Sequence, residues 1–268
     1  MSILEAIILG LVEGITEFLP VSSTGHLILT RDLLGLHGDS VDRLLIIIQG
    51  AAILAVCWEF RQKLVGTVLT VHRDPVARRF VLNLLIAFLP LAILGLLFGK
   101  QIKAALFNPI SVAIALVVGG VIILWAERRQ HAERVQDVDQ LTPLDAFKLG
   151  LFQALALIPG TSRSGATIIG GLLSGLSRKT AAEFSFFVAI PVLLAATALD
   201  LWEARHDLAT TDVTPLVVSC VVSFASALAA TKLLIRYVSR HSFAAFAWYR
   251  IAFGSLILAT WYTGLISW

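Results

Sequence analysis

Long apolar runs separated by short polar stretches dominate the chain. The first run covers residues 3–19, breaks at Pro20 and resumes over 24–36. At 1.5 Å per residue the resumed arm reaches only about 20 Å, short of a bilayer core of about 30 Å, so the two arms predict a re-entrant helical hairpin. Apolar runs at 44–58, 80–98 and 110–126 predict three transmembrane helices. The polar stretch 127–139 reads as a linker.

The pattern then recurs. Shifted by 140 residues and without a gap, GLVE at 10–13 lies on GLFQ at 150–153, and SSTG at 22–25 lies on SRSG at 162–165. Pro20 has Pro159 and Gly160 as its counterpart. A second broken hairpin is predicted at 144–158 and 165–176, followed by spans at 181–201, 215–233 and 243–266. Each half makes three crossings, and an odd number forces the halves into opposite orientations. The expected fold is an all-α integral membrane protein of two inverted-topology repeats, each with one re-entrant helical hairpin and three transmembrane helices. It forms one membrane domain over 1–268, with repeat one at 1–126, a linker at 127–142 and repeat two at 143–268.

Composition agrees. Of 268 residues, 57% are hydrophobic and 15% charged, and mean hydropathy is +0.86, whereas a soluble domain carries about 25% charged residues. A formal charge of +3 is too small to indicate a nucleic-acid partner. Its distribution is informative, because the loops at 61–79, 127–142, 177–179 and 232–242 hold thirteen Lys and Arg against four (Arg43, Lys100, Lys103 and Arg205) in the opposite loops. The first set is expected in the cytoplasm, with both termini and the mouth of the first hairpin outside. The first basic residue is Arg31, so the opening run does not read as a signal peptide. Cys57 and Cys220 lie in separate apolar runs and read as buried thiols.

Polar residues inside apolar runs are costly and mark functional sites. The segment EGITEFLPVSSTGH at 13–26 carries two carboxylates, four hydroxyls and an imidazole. Glu13 and Glu17, four apart on one helical face, are a candidate pair of divalent-metal ligands or a base. Ser22, Ser23 and Thr24 open a fresh helix, where free backbone N–H groups and the dipole suit a phosphate. One such hydroxyl is expected to cap the helix. His26 is a candidate acid, base or nucleophile. In the second half, PGTSRSGAT at 159–167 sets the Arg163 fork at a helix start beside Ser162, Ser164 and Gly165, a phosphate clamp. Glu17, Ser23, His26 and Arg163 are the catalytic candidates; Ser22, Thr24, Ser162, Arg163, Ser164 and Gly165 are the phosphate-binding ones. Gln49 and Glu183 are assigned to the same cavity, Asp200 to an interface, and Arg250 to a pairing with an acid. Trp125, Trp202, Trp248, Trp261, Tyr262 and Trp268 read as interface-belt aromatics.

The motifs at 13–26 and 159–167, with Gln49, the segment AEFSF at 182–186 and the order of spans, resemble the undecaprenyl-diphosphate phosphatases of the bacitracin-resistance type. The resemblance covers essentially the whole chain. It implies a bacterial inner-membrane hydrolase that removes the terminal phosphate of undecaprenyl diphosphate, leaving the monophosphate carrier reused in cell-wall synthesis. It also implies a divalent cation, Mg²⁺ or Ca²⁺, and functional roles for Glu13, Glu17, Ser23, His26 and Arg163. The residues leave open whether Ser23, His26 or a water attacks, and whether His26 or Glu17 activates it. Partners are the isoprenyl diphosphate lipid and membrane lipids; a homodimer is compatible with the sequence but not specified by it. The cavity is expected to open to the periplasmic side. One rival, a lipid phosphatase with a histidine nucleophile, lacks its histidine, because 164–175 contains none. The other is a lipid-phosphate transporter or flippase, for which inverted repeats with broken helices are a common plan.

Overall fold

The computed structural model describes residues 1–129, 132–204 and 213–263; Arg205, Trp268 and the predicted end of the last span lie outside them, as does the side chain of Asp200. Eleven α-helices follow one another among the described residues: α1 Ile3–Thr16, α2 Ser23–Leu33, α3 Asp39–Glu59, α4 Arg61–Thr70, α5 Pro75–Leu106, α6 Pro109–Arg128, α7 Pro143–Ala154, α8 Arg163–Leu173, α9 Arg178–Ala204, α10 Val213–Val238 and α11 Ala244–Thr263. Six of them (α3, α5, α6, α9, α10 and α11) are long and apolar enough to cross a membrane. Large apolar side chains such as Leu96 and Leu97 stand exposed along them, as lipid-facing surface does. The chain is a multi-pass, all-α membrane protein.

Three features differ from the sequence expectation. The stretch 61–70, assigned to a loop, forms the separate helix α4, and α5 runs 32 residues instead of the 80–98 predicted. Asp74 caps α5, with Pro75 at its first position, a start signal that lies upstream of the apolar run. Helix α1 also ends at Thr16 rather than at Pro20, although Glu17 keeps helical backbone angles and its N–H still donates to the Glu13 carbonyl.

Packing follows the 140-residue correspondence. α1 packs along α10 and α7 along α5, while α6 packs on α11 and α3 on α9. Each short first arm therefore rests on a long span of the opposite half. Close approach depends on matched glycines: a Cβ at Gly10 would meet the Ser219 carbonyl at 2.5 Å, and one at Gly150 would meet the Ala87 carbonyl at 2.7 Å. Phe18, beside the first break, is fully buried and meets Phe186 of α9 edge-on at 5.6 Å.

The polar linker is docked, not loose. Lys63 pairs with the Asp139 carboxylate and Arg79 Nη2 donates to the Asp139 carbonyl at 2.5 Å. The buried Asp145 caps α7 through Thr142 and accepts from Arg134. Burial alone would raise the Asp145 carboxyl; the hydrogen bonds from Arg134 and Thr142 outweigh it and hold the group below the ordinary Asp value.

Candidate functional site

Both predicted breaks exist and share one geometry. Ser22 and Ser162 precede α2 and α8, and each has φ 71°, a left-handed conformation that is strained for any residue but glycine. Gly160, at φ 91°, lets the second break pass the Val112 carbonyl, which an added Cβ would meet at 2.5 Å. The two breaks face each other across a cavity of about 180 Å³.

Its walls include Glu17, Ser22, Ser23, Thr24 and Gln49 from the first half, with Ser162 and Arg163 from the second. Residues 140 positions apart in sequence thus line one space. Ser23 Oγ donates to Glu17 Oε2 at 2.5 Å. The other oxygen of that carboxylate, Oε1, accepts from Arg163 Nη2 at 3.4 Å, and Arg163 Nη1 donates to the Ser185 carbonyl at 2.9 Å. The Arg163 and Glu17 side chains are 9% and 7% exposed. Both Glu13 carboxylate oxygens are buried without a hydrogen-bond partner, and so is Arg163 Nε. Glu13 interacts electrostatically with Glu17 and Arg163. Glu13 is not among the residues lining the cavity, yet buried polar atoms without partners are costly unless they serve a ligand.

The other candidates take different places. His26 is outside the cavity wall: its Nδ1 contacts the Ser22 carbonyl at 2.7 Å, its Nε2 contacts Tyr249 Oη at 2.6 Å, and its ring stacks on Phe253 at 4.3 Å. A carbonyl can only accept, so Nδ1 carries the proton and Nε2 accepts from the tyrosine. The imidazole thereby holds the strained break in shape. Ser164 Oγ donates to the Leu19 carbonyl at 2.9 Å, tying one break to the other. The hydroxyl cap expected among Ser22, Ser23 and Thr24 is absent, since Ser22 makes no side-chain cap and Ser23 Oγ is taken up by Glu17; the second break has one instead, where the Gly165 N–H donates to Ser162 Oγ. Glu183 does not line the cavity; it faces Lys179 one turn back on α9, at 3.7 Å. The belt aromatics Trp125, Trp202, Trp248, Trp261 and Tyr262 are exposed.

Arg250 is the main correction. It pairs with no acid among the described residues. Fully buried, it donates to five backbone carbonyls, those of Pro20, Gly160, Thr161, Ala115 and Leu116. A guanidinium has five N–H donors and no acceptor; three of these carbonyls lie at the breaks, which expose carbonyls that have lost their helical partners, and two lie within α6, so backbone alone satisfies it. Tyr249 and the Ser185 carbonyl were not anticipated. Tyr249, a polar-tipped residue next to Arg250 inside an apolar run, carried a usable signal; a backbone carbonyl carried none.

The arrangement defines a class: a multi-pass membrane protein with a carboxylate, a hydroxyl and a guanidinium hydrogen-bonded together within its bundle, where two helix starts meet. The chain belongs to the family of the bacitracin resistance protein BacA, which it matches over residues 6–256. It is similar to the undecaprenyl-diphosphatase of Dechloromonas aromatica (strain RCB), 57% identical over 266 residues, covering 99% of this chain and 97% of that protein. It is also 60% identical over 267 residues to undecaprenyl-diphosphatase 2 of Rhodospirillum rubrum, with 99% and 97% covered. To undecaprenyl-diphosphatase 1 of Chromobacterium violaceum it is 57% identical over 265 residues, with 98% of each chain covered.

Proposed function

We propose that this protein is an undecaprenyl-diphosphate phosphatase, and that Ser23 attacks the terminal phosphorus with Glu17 as its base. The 2.5 Å hydrogen bond from Ser23 Oγ to Glu17 carries the reading, since a nucleophilic hydroxyl needs an adjacent base within this reach. As the new Oγ–P bond forms and the bridging P–O bond breaks, the hydroxyl proton passes to Glu17 and undecaprenyl monophosphate leaves. Water then attacks the phosphoserine, inorganic phosphate departs, and Ser23 recovers its proton. Arg163, whose Nε has no partner, meets the charge on the transferring group, together with the N-terminal amides of α2 and α8.

Glu13 and Glu17 would hold a divalent cation, Mg²⁺ or Ca²⁺. The partnerless Glu13 oxygens fit a hard cation that takes oxygen ligands. Among the described residues no group of three or more His, Cys, Asp or Glu is assembled, so the remaining ligands would come from water and substrate. Bound there, the cation supplies charge neutralisation to the diphosphate.

The two halves are inverted-topology repeats, and the pairs α1–α2 and α7–α8 are re-entrant hairpins. The equal φ of Ser22 and Ser162 and the exchanged packing of α1 on α10 and α7 on α5 support this. The asymmetry of basic loops supports an inner-membrane protein whose cavity opens to the periplasm. Purified protein in detergent, given undecaprenyl diphosphate, should release phosphate, and a chelator should stop it. A transporter needs two compartments, so absence of phosphate release from folded protein with cation present would overturn the reading.

A further inference from the structure

Beside the first break lies a second, larger space that the catalytic cavity does not use. α1 and α10 run parallel and in register: Gly10 lies against Ser219, and Gly14 against Ser223 and Ala227. α1 ends at Thr16, whereas α10 continues to Val238. Past the Gly14–Ala227 contact, α10 extends about 16 Å further and α1 only about 3 Å. Below the break, the α10 face that α1 would have covered is left without a helix.

A groove of about 740 Å³ runs along this face. Leu11, Ile15 and Leu19 form one wall, and Ala229, Leu233 and Phe246 form the other; its far end carries Arg236 and Arg240. It shares no lining residue with the catalytic cavity. Arg236 and Arg240 are four apart, so they lie on one helical face. Both are exposed, and neither guanidinium has a carboxylate partner among the described residues. Lys232, one turn back, does have one, Glu59 at 3.3 Å.

We propose that this groove is a binding site for an anionic glycerophospholipid. Its acyl chain lies along the apolar walls, and its phosphate is held by Arg236 and Arg240. The groove is apolar along its walls and cationic at one end, the charge distribution of an anionic lipid reversed. A zwitterionic headgroup would bring its own ammonium against the two arginines and gain less. The bound chain fills the space under the first break and so supports the turn that carries Glu17.

Native mass spectrometry of the full chain, titrated with phosphatidylglycerol or phosphatidylcholine of the same acyl chains, tests this. The wild type should bind phosphatidylglycerol more tightly. Arg236→Gln with Arg240→Gln should weaken that binding roughly thirtyfold, two basic residues' worth near a membrane surface. The charge-matched control Arg73→Gln with Arg78→Gln should leave it unchanged. Ala229→Phe, on an exposed position, should obstruct the groove and weaken both lipids. Equal affinity of the wild type for the two headgroups, or undiminished phosphatidylglycerol binding by the double glutamine variant, would overturn the proposal. One-for-one displacement of phosphatidylglycerol by undecaprenyl monophosphate would do so as well, making the groove a seat for the substrate's tail.

Discussion

Ser23 and Glu17 are six residues apart, separated by the first break, and joined by a 2.5 Å hydrogen bond. The break is what lets this happen, since on a continuous helix residues six apart do not meet. Glu17→Gln keeps a hydrogen-bond acceptor but removes the proposed base, and Ser23→Ala removes the proposed nucleophile. Each should lower kcat by about 10² or more, with the protein still folded. Arg163→Lys should fall similarly, because an ammonium lacks the planar fork by which two separate nitrogens meet Glu17 and the Ser185 carbonyl. Steady-state phosphate release from the purified variants measures this; full turnover in Ser23→Ala would make water the attacker.

Glu13→Gln should act differently. Its carboxylate touches no donor, so its loss leaves the Ser23–Glu17–Arg163 contacts in place. The expected outcome is a rise of about tenfold or more in the cation concentration needed for half-maximal activity. A titration with Mg²⁺ and Ca²⁺ after chelation reads it. An unchanged cation requirement would remove Glu13 from the metal site.

Arg250→Met should destabilise the fold by more than about 4 kcal/mol. It leaves the Pro20, Gly160 and Thr161 carbonyls at the breaks without this donor, and each unsatisfied buried group costs about 1–3 kcal/mol. Thermal unfolding in detergent should show the loss. Arg250→Lys should recover little of it, since three donors cannot replace the planar five.

The docked linker gives a pH signature. The folded Asp145 carboxyl is held below the ordinary value of 3.8, so its contribution is complete above that value and lost as pH falls through the folded pKa. At neutral pH Asp145→Asn should cost about 1–3 kcal/mol, seen as a lower unfolding temperature. The gap between wild type and variant should close in acid. A gap that stays constant down to pH values where Asp145 is protonated would mean that its charge contributes nothing.

Sidedness can be read by labelling. In a background without Cys57 and Cys220, Lys103→Cys should react with an impermeant thiol reagent in intact cells, and Gln136→Cys only after lysis. Both positions are exposed. Labelling of position 136 from outside would reverse the topology and the periplasmic opening with it.

Much of this was legible in the sequence, for identifiable reasons. Apolar runs gave the six spans, since burial in lipid demands them over whole helices. The breaks were visible because clusters of polar residues rarely interrupt such runs; proline alone was no signal, since Pro90 and Pro191 lie inside the unbroken α5 and α9. Helix α4 was missed because its 61–70 segment is only moderately apolar and carries Arg61 and Lys63, which read as loop charge. The partner of Arg250 was unreadable because it is not a residue type at all: five carbonyls converge from three separate segments, and a backbone atom leaves no mark on the sequence. The contacts of His26 with Tyr249 and Phe253 were unreadable, because both partners lie more than 220 positions along the chain.

Arg250 also sets an order of events during synthesis. It is carried by α11 and pins carbonyls on either side of the site, at Pro20 and at Gly160 and Thr161. Every element it pins leaves the ribosome before it does. The nascent chain can insert its earlier spans and bring both breaks into place while their carbonyls still lack a common donor. Only when α11 arrives can Arg250 join them, so the junction between the two breaks is the last part of the cavity's surroundings to be completed.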